Sequence, residues 1–366
     1  MSAEVFRCWA EVDTAALRHN AAAVRERIGS AELLAVVKAN AYGHGMIGVA
    51  RVLANDVQLF GVANLEEAIE LRGAVSHPVV ILGPALPQER AEIVRRQFIP
   101  TVSTLGEAED FSRLARDRKV EINFKIDTGM GRMGAPEAEA LELFRKIVQL
   151  PQLRIHGVST HMPVADSDAD YSRDQLARFG AAMKTLRAQV PGNYKAHVLH
   201  SAGTLGYGES TFDIVRAGLM LYGISPLPEH QSALEPVLTW KTRIGLIRDL
   251  PEGSSISYGR TFITQKPMRV ATITAGYADG YPRHLSNRGA AVLVRGQRCP
   301  LVGRVTMDLM VVDVTDVPDA TAGEEVVLMG KQKGAEISCC EVADAADTIT
   351  WEILARIASR VRRVFV

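Results

Sequence analysis

The sequence predicts an α/β protein: a (β/α)8 TIM-like barrel over residues 1–232, followed by a mostly β C-terminal domain over residues 233–366. Three observations carry that prediction. Eight short apolar runs alternate with amphipathic stretches through the first two-thirds of the chain. No GxGxxG fingerprint follows the first run, which favours a closed barrel over an open doubly wound sheet. After Pro226 the texture turns to β-branched runs separated by Gly, Pro and Asp.

The barrel strands are expected at LLAVV (33–37), LFGVA (59–63), VVIL (79–82), FIPTV (98–102), INFKI (122–126), IHGVST (155–160), AHVLH (196–200) and DIVRAG (213–218). Helices are expected over 65–74, 105–116, 136–149 and 173–190, where apolar residues recur at spacings of three and four. Units of roughly twenty to forty residues suit βα repeats. The boundary falls in SPLPEHQSALEP (225–236), a turn-rich and polar stretch. Beyond it, LTWKTRIGLIRDL, MRVATITAG, AAVLVRG, RCPLVGRV, LMVVDV and EEVVLMG read as strands of the second domain. A helix over roughly 349–360 is expected to close the chain, and EVFRCWAEV (4–12) reads as a further strand able to pair with the β domain.

Composition excludes several classes. A chain of 366 residues with 47% hydrophobic residues exceeds one compact core and is not a disordered protein. Basic and acidic residues both number 42, a balance unsuited to gripping nucleic acid or anionic lipid. No apolar stretch reaches the ~18 residues of a membrane span. Glu4, Arg7, Glu11 and Asp13 interrupt any signal-peptide core. Cys8, Cys299, Cys339 and Cys340 have no metal-like spacing, so no metal is expected. The adjacent Cys339 and Cys340 read as ordinary buried thiols of a cytoplasmic protein.

The strongest local signal is AVVKANAYGHG (35–45), where an apolar strand ends directly in Lys38 and enters a loop bearing Tyr42 and His44. Catalytic groups of barrels gather at the C-terminal ends of strands. Desolvation there disfavours an ammonium, which suits a lysine that attacks carbonyls. A lysine snorkelling from a strand end would look the same on these features alone.

This motif resembles the PLP-lysine motif of the alanine racemase family, whose fold pairs a barrel with a β domain. The resemblance continues in order through KIDTGMGRMG (125–134), VSTHMPVAD (158–166), HSAGTLGY (200–207), VRAGLMLYG (215–223), SYGRTF (257–262), AGYADGYPR (275–283) and GRVTMDLM (303–310). It implies pyridoxal 5'-phosphate held by Lys38, which then serves as the base on one face of the substrate Cα. It implies Tyr258 as the base on the other face, supplied by the second subunit of a homodimer. Arg216 would face the pyridine nitrogen, and Ser201, Gly218, Leu219 and Tyr42 would hold the phosphate. Arg132 would meet the phenolic oxygen and the substrate carboxylate, with Lys125, as amine or carbamate, orienting it. His161 belongs to the implied active-site network. Met307 would bind the substrate carboxylate through its amide, with Asp308 and Tyr281 in support.

The sequence departs from the family pattern at three places. Trp351 in TITWEILARI (348–357) stands where many members carry a tyrosine that contacts the phosphate, and an indole can donate but not accept. Thr306 replaces a cysteine found in some members, and His200 stands where asparagine is frequent. The implied activity is interconversion of L- and D-alanine, supplying D-alanine for peptidoglycan. A serine or broad-specificity racemase, a decarboxylase of the same general fold and a non-catalytic PLP-binding protein are the competing readings. A one-hydroxyl difference is discriminated only about 10²-fold by pocket shape.

Overall fold

A computed structural model describes residues 6–366, which divide into two compact units. One holds residues 15–41 and 46–235; the other holds the chain up to Thr14, Tyr42–Gly45 and Pro236–Val366.

The first unit is a parallel barrel whose eight strands follow one another in space as in sequence. They are Glu32–Val36, Leu59–Val62, Val79–Pro84, Ile99–Val102, Val120–Asp127, Leu153–Ser159, Lys195–His197 and Ile214–Ala217. The eighth pairs in register with the first, Ile214 opposite Glu32 and Ala217 opposite Ala35. The seam between seventh and eighth is closed by Asp213 N–H to Ala196 O (2.9 Å), Arg216 N–H to Leu199 O (3.0 Å) and a His200–Arg216 bridge. The second and fourth strands are buried at every position, the reason they read as continuous apolar runs.

Side-chain alternation sorts the fifth strand. Phe124 packs on Phe144 of the helix Ala140–Val148, with ring centroids 5.3 Å apart. Period-two geometry turns Asn123 and Lys125 the other way, into the barrel. A bulge at His156 on the sixth strand shifts the pairing from Ile122–Ile155 to Asn123–Gly157. Helix boundaries follow local chemistry. The long helix Ala169–Gln189 begins four residues before the expected 173 because the Asp168 carboxylate caps Tyr171 N–H. The helix expected from 136 begins at Ala140, since Ala135–Pro136 instead pairs with Ile126–Asp127.

The second unit is built on the strand Leu238–Leu250, whose first half alternates strictly, burying Leu238, Trp240, Thr242 and Ile244. It pairs antiparallel with Cys8–Val12, Met268–Ile273 and Glu325–Gln332. The N-terminal strand thus starts at Cys8, and the first residues of the stretch read as 4–12 lie outside the described residues. Two expectations are corrected here. The final helix covers only Thr350–Ala355, and the chain ends in the strand Arg362–Phe365, parallel to Cys8–Val12, whose edge would otherwise be left unpaired. Cys339 is buried but Cys340, the next residue of the same short helix, is exposed; both are free thiols. Tyr42–Gly45 joins this unit through Arg363, which donates to Gly43 O at 2.8 Å. Gly43, at φ 80°, has no room for a side chain, since a Cβ would lie 2.0 Å from Leu354 O.

Among the described residues no helix is long and apolar enough to cross a membrane.

Candidate active site

Lys38 stands two residues beyond the first barrel strand, at its C-terminal end. The backbone around it is held from several sides. Tyr222 Oη donates to Val36 O (2.9 Å), and the Glu67 carboxylate accepts from Ala39 N–H and Ala63 N–H, both at 2.7 Å. The chain then runs left-handed through Ala39, Asn40, Ala41 and Tyr42, at φ 50–54°. Such backbone costs about 1–2 kcal/mol per non-glycine residue, so packing and the Glu67 clamp must hold it. Burial, and next the Arg132 guanidinium, push the Lys38 ammonium below the ordinary lysine range, against the opposing pull of Glu67. The result is an amine made more available as nucleophile and base.

The fifth strand brings Lys125 to the same end of the barrel. It is buried, and burial together with Arg216 and Arg132 lowers its ammonium pKa to about 7. Asp127, ending this strand, accepts from Gly129, Met130 and Gly131 N–H at 2.8–2.9 Å, folding DTGMGR into a tight loop that presents an exposed Arg132. Thr128 Oγ1 meets Thr160 Oγ1 at 2.7 Å, and Gln175 Nε2 donates to Thr128 Oγ1 and His161 O, joining the fifth and sixth strand ends.

Arg216, on the eighth strand, is buried and donates through NH1 to His197 Nδ1 (3.1 Å) and His197 O (2.8 Å). NH2 donates to Val198 O (2.7 Å) and Thr160 O (2.8 Å), with His161 Nδ1 at 3.4 Å. Those bonds commit the four terminal hydrogens and leave Nε–H over. Burial alone brings its pKa down to about 10, still a cation near neutrality. His161 is pushed far below the ordinary histidine range, first by burial and then by His200 and Arg216, so it is neutral. His200, 4.9 Å from the His161 ring, falls to about 4 by burial.

Ser201 opens the short helix Ser201–Gly206, and its Oγ accepts from Gly218 N–H (3.0 Å) and Met220 N–H (3.2 Å). A hydroxyl has two lone pairs and one proton. With both lone pairs used, the proton is left to donate to an incoming acceptor. Gly218 N–H is turned to Ser201 rather than outward, while Leu219 N–H heads the 3-10 turn Leu219–Tyr222, where a first amide has no partner within its own helix. The barrel end therefore gathers Lys38, Lys125, Arg132 and Arg216, a field suited to an anion.

The second unit places the other expected residues. Tyr258 lies on the turn Tyr258–Arg260 and is 72% exposed. Met307 is 53% exposed, on a turn held by Tyr277 N–H to Thr306 O (3.0 Å) and Ala278 N–H to Met307 O (2.9 Å). Arg360 clamps that turn, donating to Asp308 Oδ1 (2.8 Å) and Asp279 Oδ1 (2.7 Å). Tyr281 is 1% exposed and packs on Trp240, with ring centroids 6.0 Å apart, while Tyr277 of the same motif is exposed beside Met307. Trp351 is half-buried in the helix Thr350–Ala355, and burial raises the Tyr42 phenol to about 12. Sequence reasoning missed Glu67, Asp127, Asn123, His197, Tyr277 and Arg360. Glu67 had a signal, the Asn64-x-x-Glu67 capping pattern.

Comparison with known proteins sets this geometry in a family. Residues 12–226 match the family model "Alanine racemase, N-terminal domain" and residues 237–365 match "Alanine racemase, C-terminal domain". The chain is 41% identical to an alanine racemase of Halothermothrix orenii, over 98% of this chain and 96% of that one. The fold superposes on a Bacillus anthracis alanine racemase solved with bound L-Ala-P, with a TM-score of 0.92, 34% identity and coverage of 100% and 96%. It superposes likewise on a Bartonella henselae alanine racemase with covalently bound pyridoxal phosphate (TM-score 0.89, 29% identity, coverage 99% and 100%).

Proposed function

This chain belongs to the alanine racemase family and is an amino-acid racemase, and from that premise we propose that it interconverts L- and D-alanine by a two-base route. Pyridoxal phosphate is its cofactor, and the residues fit that group. The Ser201 proton and Leu219 N–H suit a phosphate, and the spare Arg216 Nε–H suits a ring nitrogen. Lys38 is the amine that holds the carbonyl carbon. When bound, this cofactor supplies an electron sink that acidifies the substrate Cα–H.

The protein's own groups then set the stereochemistry. Lys38, its ammonium disfavoured by burial and Arg132, takes or returns the Cα proton on one face. Tyr258 of a second copy of the chain does so on the other face. Arg216 donates and cannot accept, so it would hold the ring nitrogen as a donor only, leaving that nitrogen without a proton of its own and the sink weak. A weak sink limits wrong-way protonation and transamination. Arg132 and the Met307 amide grip the substrate carboxylate. Lys125, with a neutral fraction near pH 7, is free to add to CO₂; the amine N–C bond forms, one proton leaves, and the carbamate anion lies among Arg132 and Arg216. The working unit is a homodimer with shared sites, supplying D-alanine for peptidoglycan.

The observation that carries this reading is the convergence of Lys38, Arg132 and Arg216 around Lys125 at one end of the barrel. The test is a coupled assay of D-alanine formed from L-alanine by purified protein with PLP, with L-serine beside it. Alanine turnover well above serine, abolished by Lys38→Ala, is expected. Bound PLP with no racemisation of either amino acid would sink the proposal.

A further inference from the structure

Beyond the groups that meet cofactor and substrate, a line of hydrogen bonds runs inside the barrel from the third strand to the eighth. Thr101 Oγ1 donates to Ile81 O (2.7 Å) and accepts from Asn123 Nδ2 (3.2 Å). Asn123 Nδ2 also donates to Ser159 Oγ (2.9 Å). Asn123 Oδ1 lies 2.7 Å from His197 Nε2, and His197 Nδ1 lies 3.1 Å from Arg216 NH1. Thr101, Asn123, Ser159, His197 and Arg216 are all buried, where a mismatched donor or acceptor is costly.

The protons in this line can be assigned from either end. Arginine can only donate, so His197 Nδ1 must be bare. A neutral imidazole with a bare Nδ1 carries its proton on Nε2, which then needs an acceptor. The Asn123 carbonyl oxygen is that acceptor. From the other end, the Thr101 hydroxyl spends its proton on Ile81 O, so it must receive one, and the Asn123 amide nitrogen provides it. Both ends demand the same orientation of Asn123 and the same tautomer of His197. Burial, with the Arg216 charge next, also keeps His197 neutral.

The backbone makes room for this arrangement. At Gly157, a Cβ would press on His197 Nε2 at 3.1 Å and on Lys195 O at 2.9 Å. The bulge at His156 is what sets Gly157 opposite Asn123. A substituted residue there would push the imidazole off the Asn123 oxygen.

We propose that Asn123 is a positioning residue that fixes His197 in the Nε2–H tautomer and thereby holds Arg216 as an oriented, fully charged donor. Its functional meaning rests on the reading of Arg216 given above; its tautomer does not. Asn123→Asp keeps the size but places a carboxylate on Nε2–H. That favours the imidazolium, turns Nδ1 into a donor and sets it against Arg216 NH1. Asn123→Leu removes the acceptor, so Nε2–H is left buried without a partner and the imidazole is held only from its Arg216 side.

The experiment is ¹⁵N-histidine labelling of the holoenzyme, with the His197 signals assigned through His197→Gln, beside kinetics of the variants. Wild type should show a bare Nδ1 and a protonated Nε2, and Asn123→Asp should show both nitrogens protonated. Both Asn123 variants should lose roughly 10- to 100-fold in kcat, the size seen when outer-shell partners of metal ligands are removed, with KM for alanine little changed. In a His197→Gln background, Asn123→Leu should then cost almost nothing more. A protonated Nδ1 in wild type overturns the proposal without recourse to any variant's folding. So do additive losses in the double variant. A protein with the expected tautomer but no racemase activity would refute the functional reading and leave the tautomer assignment standing.

Discussion

The C-terminal end of the barrel and the exposed face of the second unit carry the proposed chemistry in opposite ways. At the barrel end, Arg216 spends four hydrogens on protein acceptors, Asp127 gathers three amides, and Ser201 has both lone pairs filled. Each group there is set within one chain. On the second unit Tyr258, Met307, Tyr277 and Leu309 are exposed, and only the backbone under them is fastened. The contrast teaches that one half of the proposed machinery is preorganised by burial, while the other is offered outward. A second copy of the chain is the surface that, on the proposed reading, covers it.

The sharpest way to break that comparison is to separate the halves. Lys38→Ala and Tyr258→Phe should each be inactive alone, with losses of at least 10²–10⁴-fold for the tyrosine. After verified subunit exchange, a two-fold dimer with shared sites restores up to about a quarter of wild-type activity, because half the dimers carry one intact site. No recovery would place both bases in one chain. Tyr258→Phe should leave thermal stability within about 0.5 kcal/mol, as an exposed position does.

Lys125 sharpens the cost of the buried half. Its folded pKa of about 7 lies below the ordinary 10.5. Between those values the unfolded chain binds a proton the folded chain does not, so stability rises with pH, by at most about 1.4 kcal/mol per unit. Below about pH 7 the burial penalty is in full force. Lys125→Met should therefore stabilise the cofactor-free protein in degassed buffer most at pH 6, with the gain fading toward pH 10. Urea melts check this; a pH-independent difference would mean the amine is not desolvated.

The smallest effect is expected at the fastening of the exposed half. Arg360→Ala frees the Met307 turn from Asp308 and leaves the buried Asp279 with the Gly276 amide. Because the guanidinium is half exposed, the loss should be about 1–2 kcal/mol. KM for alanine should rise with kcat held, since on the proposed reading the turn grips substrate rather than moving protons. A fall in kcat at constant KM would assign Arg360 to the chemistry instead.

Much of this was legible in the chain. The barrel strands announce themselves because parallel strands buried on both faces are unbroken apolar runs. Lys38 is legible from the strand that ends in it, and Tyr258 from its place in an ordered set of motifs. The short stretch Lys195–His197 shows the limit: AHVLH reads as one strand, yet Val198 O, Leu199 O and His200 turn to serve Arg216 and the next helix. Tyr277 and Tyr281 share one motif, and nothing in AGYADGYPR tells which is buried. That choice was made by Trp240, far away in sequence.

The sequence by itself determined the order of strands and helices, the chemical types at the barrel end and the family they resemble, because those depend on local periodicity and short spacings. Only the tertiary structure decided which partner each polar group meets. Asn123 finds His197 across 74 residues, and Arg360 finds Asp279 across 81. Donor and acceptor states in a buried network are mutual constraints, so no one segment contains them. They exist only once the barrel closes and water is gone.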